Sequence, residues 1–262
     1  MRLYFAGADT HQARRILLDD CNAKQILVSY YLFRRIEELK DEEVFLDSGA
    51  YTAWTQHKEI DIKKYINYLK EYKDKFTVYA NLDVIGNPEK TLENQKIIEQ
   101  AGLNPLPVFH SKTDFKYLEY YATHYDYLAL GGLVPLTRQP KVLINWLNKC
   151  YRYLLPFIQA KGLKIHLFGI SDYRILLKYP VYSCDSTSWQ SGVRYGTIVK
   201  WEKYKMVSAI HWSDRNKFLD NKLSTKLIGD DNEKLRYNIK EFLEMEKDIT
   251  SLWERRNIKW ND

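Results

Sequence analysis

The 262-residue chain contains no apolar run near the roughly 20 residues that a bilayer-crossing helix needs, which excludes a transmembrane helix. Its first residues, Met1-Arg2-Leu3-Tyr4-Phe5-Ala6, enter a strand-like segment directly and lack the long apolar core of a signal peptide, so the cytoplasm is the expected compartment and no membrane partner is expected. Cysteine is scarce. The three present, Cys21, Cys150 and Cys184, are odd in number and far apart, which excludes a disulfide framework. No C-x-C or C-x-x-C pair exists to begin a zinc shell, so buried free thiols are expected instead. No glycine-rich dinucleotide fingerprint or phosphate-binding loop follows any strand-like segment, which argues against an open nucleotide-binding sheet. With no linker or low-complexity tract to divide it, the chain reads as a single domain over residues 1–262.

What the sequence does have is alternation. Short β-branched or aromatic runs occur at Arg2–Ala6, Gln25–Tyr30, Val44–Asp47, Thr77–Asp83, Leu106–His110, Tyr127–Leu130, Lys164–Phe168 and Val181–Asp185. Between them lie segments of helical period. Ile62–Tyr72 repeats apolar residues at helical spacing, and Pro88–Ala101 starts on a proline and stops before Gly102. Lys141–Ala160 is a longer helix, with an interruption expected near Pro156. The first two units are short and irregular. Strands alternating with helices imply parallel βαβ units, and the count implies an α/β fold of the (β/α)8, TIM-type barrel class. After Gly196 the period changes. Thr197–Trp201 and Met206–Trp212 read as an appended hairpin and Asn232–Arg256 as a terminal helix, so that residues 197–262 form a C-terminal appendage.

The net charge of +6 is concentrated. From Arg194 to Lys226 there are eight basic residues (Arg194, Lys200, Lys203, Lys205, Arg215, Lys217, Lys222, Lys226) against three acids, with Trp201, Tyr204 and Trp212 interleaved. Cations neutralise phosphates and aromatic rings stack on bases, so the mixture suits a nucleic acid as well as a solvated lysine-rich surface. Trp189, Trp201 and Trp212 are candidates for stacking on nucleotides or for plain packing.

In a barrel of this class the catalytic residues gather at the C-terminal strand ends. Here those ends carry Asp47, Asp83 and Asp185, with His110 and the pair Gly131–Gly132 on others. Paired carboxylates suit glycosidic chemistry, one attacking the anomeric carbon while the other moves protons. An aspartate after a strand also commonly caps the next helix, a reading to which Asp83, close to Asn87–Pro88, is most open.

The residues at these ends resemble a known family. Asp47-Ser48-Gly49-Ala50-Tyr51 resembles the Asp-Ser-Gly-Gly-Phe segment of tRNA-guanine transglycosylases (queuine tRNA-ribosyltransferases), and Leu130-Gly131-Gly132-Leu133 resembles their base-recognition loop. His166-Leu167-Phe168-Gly169-Ile170 and Ser183-Cys184-Asp185 resemble the segments leading to and holding the nucleophile, and Arg194 and Gly196 match an arginine and a glycine that follow it. The resemblance implies a pentosyltransferase that swaps guanine for a 7-deazapurine in a polynucleotide. Asp185 would attack C1′, and Asp47 would serve as general acid and base. Asp83, Gly131 and Gly132 would hold the purine edge, with His110 near a position where the family uses glutamine. Ser48 and Tyr51 would belong to the base site, Tyr51 stacking on the base, and Arg194 would face the phosphate backbone.

The chain also departs from the family pattern. It has no cysteine beyond Cys184, so the family's zinc site has no counterpart, its subdomain would be replaced by residues 197–262, and no cofactor is expected. Ser186-Thr187-Ser188-Trp189 after the nucleophile is closer to the DNA-modifying branch, found in phages and bacterial modification islands, than to the tRNA enzymes' Pro-Thr-Arg. The expected partners are therefore DNA, with tRNA the alternative, and a 7-deazapurine base such as a cyano- or amido-deazaguanine; a phage-encoded protein acting in the host cytoplasm fits that branch. A homodimer or a separate partner protein stays open, as do a hydrolase that only removes the base and a non-catalytic nucleic-acid-binding relative.

Overall fold

The computed structural model describes residues 1–33, 35–209 and 230–260. Eight parallel strands form one curled sheet: β1 (Arg2–Ala6), β2 (Gln25–Ser29), β3 (Glu43–Asp47), β4 (Val78–Tyr79), β5 (Val108–His110), β6 (Tyr127–Gly131), β7 (Lys164–Leu167) and β8 (Ser183–Ser186). Their spatial order is β4-β3-β2-β1-β8-β7-β6-β5. The register is continuous through the middle of the sheet, with Leu3 opposite Cys184, Tyr4 opposite Asp185, and Ser29 opposite Asp47.

These strands are apolar on both faces because both faces are buried. In β3, Val44 and Leu46 point outward into the core beneath the helices, while Phe45 joins Tyr4, Ala80, Leu106, Val108 and Ala129 in a separate cluster on the concave side. In β6, Leu128 and Leu130 belong to the outer core and Ala129 to the inner one. The concave side is thus packed with side chains up to the level where the polar strand ends begin.

The expected strands Thr77–Asp83 and Leu106–His110 are shorter in the structure. Pro105 and Pro107 have no N–H to donate to a ladder, so pairing at the sheet's outer edges shrinks to a parallel bridge between Ala80 and Leu106. Two hydrogen bonds support it, Asn81 N–H to the Leu106 carbonyl (2.9 Å) and Leu106 N–H to the Tyr79 carbonyl (2.8 Å). The last strand is also displaced: it runs over Ser183–Ser186, and Tyr182 before it accepts from Arg2 N–H and donates to the Ile165 carbonyl on the two neighbouring strands.

Helices fill the outer layer: α1 (His11–Arg15), α2 (Ala50–Thr55), α3 (Ile62–Tyr72), α4 (Pro88–Gln100), α5 (Phe115–His124), α6 (Pro140–Lys161), α7 (Tyr173–Leu176) and α8 (Ser191–Tyr195). The first units are irregular, as their sequence indicates. α1 runs into a π-helical turn at Ile16–Asp20, and a 3-10 turn at Ile36–Glu38 stands between β2 and β3. The expected interruption of α6 at Pro156 does not occur, because Pro156 and Arg152 both face solvent and water can take the carbonyl that the proline leaves free.

After α8, β9 (Ile198–Glu202) and β10 (Lys205–Ala209) pair antiparallel, and α9 (Asp231–Arg255) follows. The remainder of the expected strand Met206–Trp212 lies outside the described residues. Polar side chains of α9 complete β9. Asn238, fully buried, accepts from Val199 N–H (3.0 Å) and donates to the Thr197 carbonyl (3.1 Å), and Glu241 accepts from Trp201 N–H (2.7 Å). Further along α9, Glu246 accepts from Leu3 N–H of β1 (2.9 Å). No helix of the described residues is long and apolar enough to cross a membrane.

Candidate active site

Asp47 closes β3, and the turn behind it needs glycine. Gly49 has φ +75°, and a Cβ there would fall 2.4 Å from Tyr31 Cβ and 2.5 Å from Ser29 Oγ. The turn aims Gly49 N–H at Asp47 Oδ2 (3.1 Å), which orients the carboxyl group. Asp83 is presented by a tight reversal after β4, in which its N–H meets the Asn81 carbonyl, while Asn81 and Asn94 tie the reversal to α4 through the Thr91 and Leu82 carbonyls. One Asp83 oxygen accepts from Ser48 Oγ (2.9 Å) and the other lies 2.7 Å from His110 Nε2. His110 ends β5, and its ring covers Gly131 so closely that a Cβ on that glycine would sit 2.6 Å from His110 Cδ2.

Asp185 lies on the concave side of β8 and is 7% exposed. Its Oδ1 accepts from Gly169 N–H (2.7 Å) and lies 3.3 Å from Nε2 of His166, a fully buried residue of β7. The capping reading of these aspartates does not hold. Side chains of Asn87, Asp114, Asp172, Asp61 and Asp230 cap α4, α5, α7, α3 and α9, whereas none of Asp47, Asp83 and Asp185 accepts from a helical first turn.

Instead the three carboxylates line one cavity of about 180 Å³, with His110, Gly131 and Gly132 on its wall. Leu27, Val108 and Phe168 form its apolar floor, and Tyr51 and Val134, 43% and 50% exposed, mark its rim. The volume is below the ~300–1,000 Å³ of pockets for drug-sized ligands, so it suits one flat ring system with its bulk outside. Burial, with the neighbouring charges of Asp83 and then Asp185, pushes the Asp47 carboxyl up to about 7, against hydrogen bonds from the Gly49 and Ser48 backbone that lower it. Near neutral pH this carboxyl divides between acid and base forms, the condition for proton transfer in either direction. Burial lowers the pKa of His166, a shift that Asp185 opposes.

Seven of the nine residues singled out in the sequence therefore share the cavity wall: Asp47, Tyr51, Asp83, His110, Gly131, Gly132 and Asp185. Two do not. Ser48 is fully buried and touches Asp83 rather than the cavity, so it positions a wall residue. Arg194 is an exposed residue of α8, where its guanidinium donates to Gln190 Oε1. Of the basic stretch, Arg215, Lys217, Lys222 and Lys226 lie outside the described residues. Trp189 and Trp201 pack rather than stack on anything foreign: Trp189 is 1% exposed with its indole N–H on the Ala6 carbonyl, and Trp201 donates to Asp248. Trp212 lies outside the described residues.

Gly169 and His166 were legible only as part of a motif, with no role attached. The signal that marks them is a polar residue on a strand position of the concave face followed by a glycine at φ +69°, where a Cβ would meet Val134 Cγ2 at 2.5 Å. Cys150 and Cys184 are buried free thiols and Cys21 is a half-buried one. Among the described residues, no group of three or more His, Cys, Asp or Glu is placed to hold a metal ion. Comparison with protein-family models and with curated proteins gives no match to this chain.

Proposed function

We propose that this chain is a base-exchanging pentosyltransferase that replaces guanine in DNA by a 7-deazaguanine derivative through a covalent Asp185–sugar intermediate. The observation that carries this reading is the convergence of Asp47 and Asp185 on one ring-sized cavity. In the first half-reaction Asp185 Oδ2 forms a bond to C1′ as the C1′–N9 bond breaks. The electron pair passes to the purine, which takes the proton of Asp47. In the second half the incoming 7-deazapurine returns a proton to Asp47 and attacks C1′, releasing the Asp185 carboxylate. Asp83 accepts from the donor groups of the purine edge, Gly131 and Gly132 let the ring approach the backbone, and Tyr51 stacks at the rim. A target base within a duplex must be unstacked to reach this depth, so single-stranded or extruded nucleotides are the substrate form.

In this proposal the bridge between Ala80 and Leu106 is the seam of a closed (β/α)8 barrel, and β9, β10 and α9 stand where the resembled family has its zinc subdomain. DNA is preferred to tRNA on the Ser186–Trp189 segment. The test is nucleoside mass spectrometry of single-stranded DNA, duplex DNA and tRNA after incubation with the protein and cyano- or amido-deazaguanine. Incorporation into DNA that is abolished in Asp185→Ala, with no covalent adduct in Asp185→Asn, is expected. Incorporation into tRNA alone would move the acceptor, base loss without incorporation would make the protein a hydrolase, and inertness toward all three would end the reading.

A further inference from the structure

Behind Asp185 runs a chain of polar groups, from part-buried Tyr127 through fully buried Ser183 and His166. Tyr127 OH lies 2.6 Å from Ser183 Oγ, which lies 2.7 Å from His166 Nδ1. The imidazole packs in a three-ring cluster with Phe45 and Phe168, whose ring centroids are each 4.5 Å from its own and 5.6 Å from one another. Its Nε2 is buried and makes no hydrogen bond of full geometry in the free protein, and Asp185 Oδ1 stands 3.3 Å from it. Contacts of this kind are commonly long before substrate arrives and tighten in the reacting complex.

The direction of the chain follows from what each group can do. A carboxylate only accepts, so Nε2 attracts Asp185 when it carries the proton. Burial disfavours the doubly protonated ring. A neutral ring with its proton on Nε2 has a bare Nδ1, which needs a donor, and Ser183 Oγ–H is the one in reach. The Ser183 oxygen then accepts from Tyr127. Every donor then points toward Asp185, whose Oδ1 accepts from Gly169 N–H and faces His166 Nε2 at 3.3 Å.

We propose that Tyr127, Ser183 and His166 form a positioning relay that fixes the Nε2–H tautomer of His166 and anchors Asp185 Oδ1, leaving Oδ2 to attack. The use of that oxygen rests on the function proposed above; the tautomer and the anchoring do not.

Nitrogen-15 NMR of histidine-labelled protein reads the tautomer directly. Wild type is expected to show His166 as a neutral ring protonated on Nε2, and Ser183→Ala to shift the population toward the Nδ1–H form or mixed exchange. Tyr127→Phe, which removes one hydroxyl and no packing volume, should shift it in the same direction by less. Single-turnover adduct formation should fall on the order of 10- to 100-fold in Ser183→Ala, the scale on which partners behind a reacting ligand act, with the apparent affinity for the free base unchanged. An Nδ1–H or doubly protonated His166 in wild type, or a tautomer indifferent to both substitutions, overturns the relay. If the relay behaves as stated but wild type forms no adduct with any polynucleotide, the function fails and the relay stands. If adduct forms equally fast in wild type and Ser183→Ala, the function stands and the relay's part in it falls.

Discussion

Asp47→Asn should make the protein more stable, and only at high pH. The Asp47 carboxyl titrates near 3.8 in an unfolded chain and near 7 in the folded one. The folded state therefore holds that proton more tightly, and the stabilisation from protonated Asp47 is fully present below about pH 4 and lost as pH rises through 7. At about 1.4 kcal/mol per pH unit the span amounts to roughly 4 kcal/mol, and partial exposure of the group reduces this to roughly 2–4. Asparagine keeps the shape and can still accept from Gly49 N–H but never charges. Urea denaturation at pH 8.5 should find Asp47→Asn more stable than wild type by that amount, and at pH 4 should find the two within experimental error. The pH dependence of wild type alone does not suffice, because Glu246 is also pushed up to about 7 by burial; the difference between variant and wild type isolates Asp47. An equal effect of the substitution at both pH values would refute the rise that burial, and then the charges of Asp83 and Asp185, give this carboxyl.

Glu246→Gln should give a similar but separate gain at pH 8.5, measured in the same way, since the amide still accepts from Leu3 N–H without charging. Gly131→Ala should cost about 1–3 kcal/mol and weaken binding of the free base, seen by calorimetry, because the new methyl group drives the His110 ring off Asp83. Asn238→Ala should cost about 3 kcal/mol in urea denaturation by orphaning Val199 N–H and the buried carbonyls it serves.

Much of this molecule is legible in its sequence. The βα alternation, the proline start of α4 with its stop before Gly102, and the residues at strand ends are local features, because apolar period and turn chemistry act over a few neighbours. Other features are not carried by local pattern: α6 continues through Pro156 because that face meets water, and the strands beside Pro105 and Pro107 shorten because the ladder lacks those donors. The ring-sized cavity, by contrast, exists because parallel strands distant in sequence curl together, and only that curl brings Asp47, Asp83 and Asp185 close enough for one charge to raise another's pKa. Whether Trp189 stacks on a ligand or fills the core, and whether Ser48 touches the cavity or only Asp83, are questions of solvent access and direction, which no pattern along a chain encodes. Residue type and order determined which groups stand at the strand ends, while tertiary packing decided which of them face one another, which face solvent, and what protonation that leaves them.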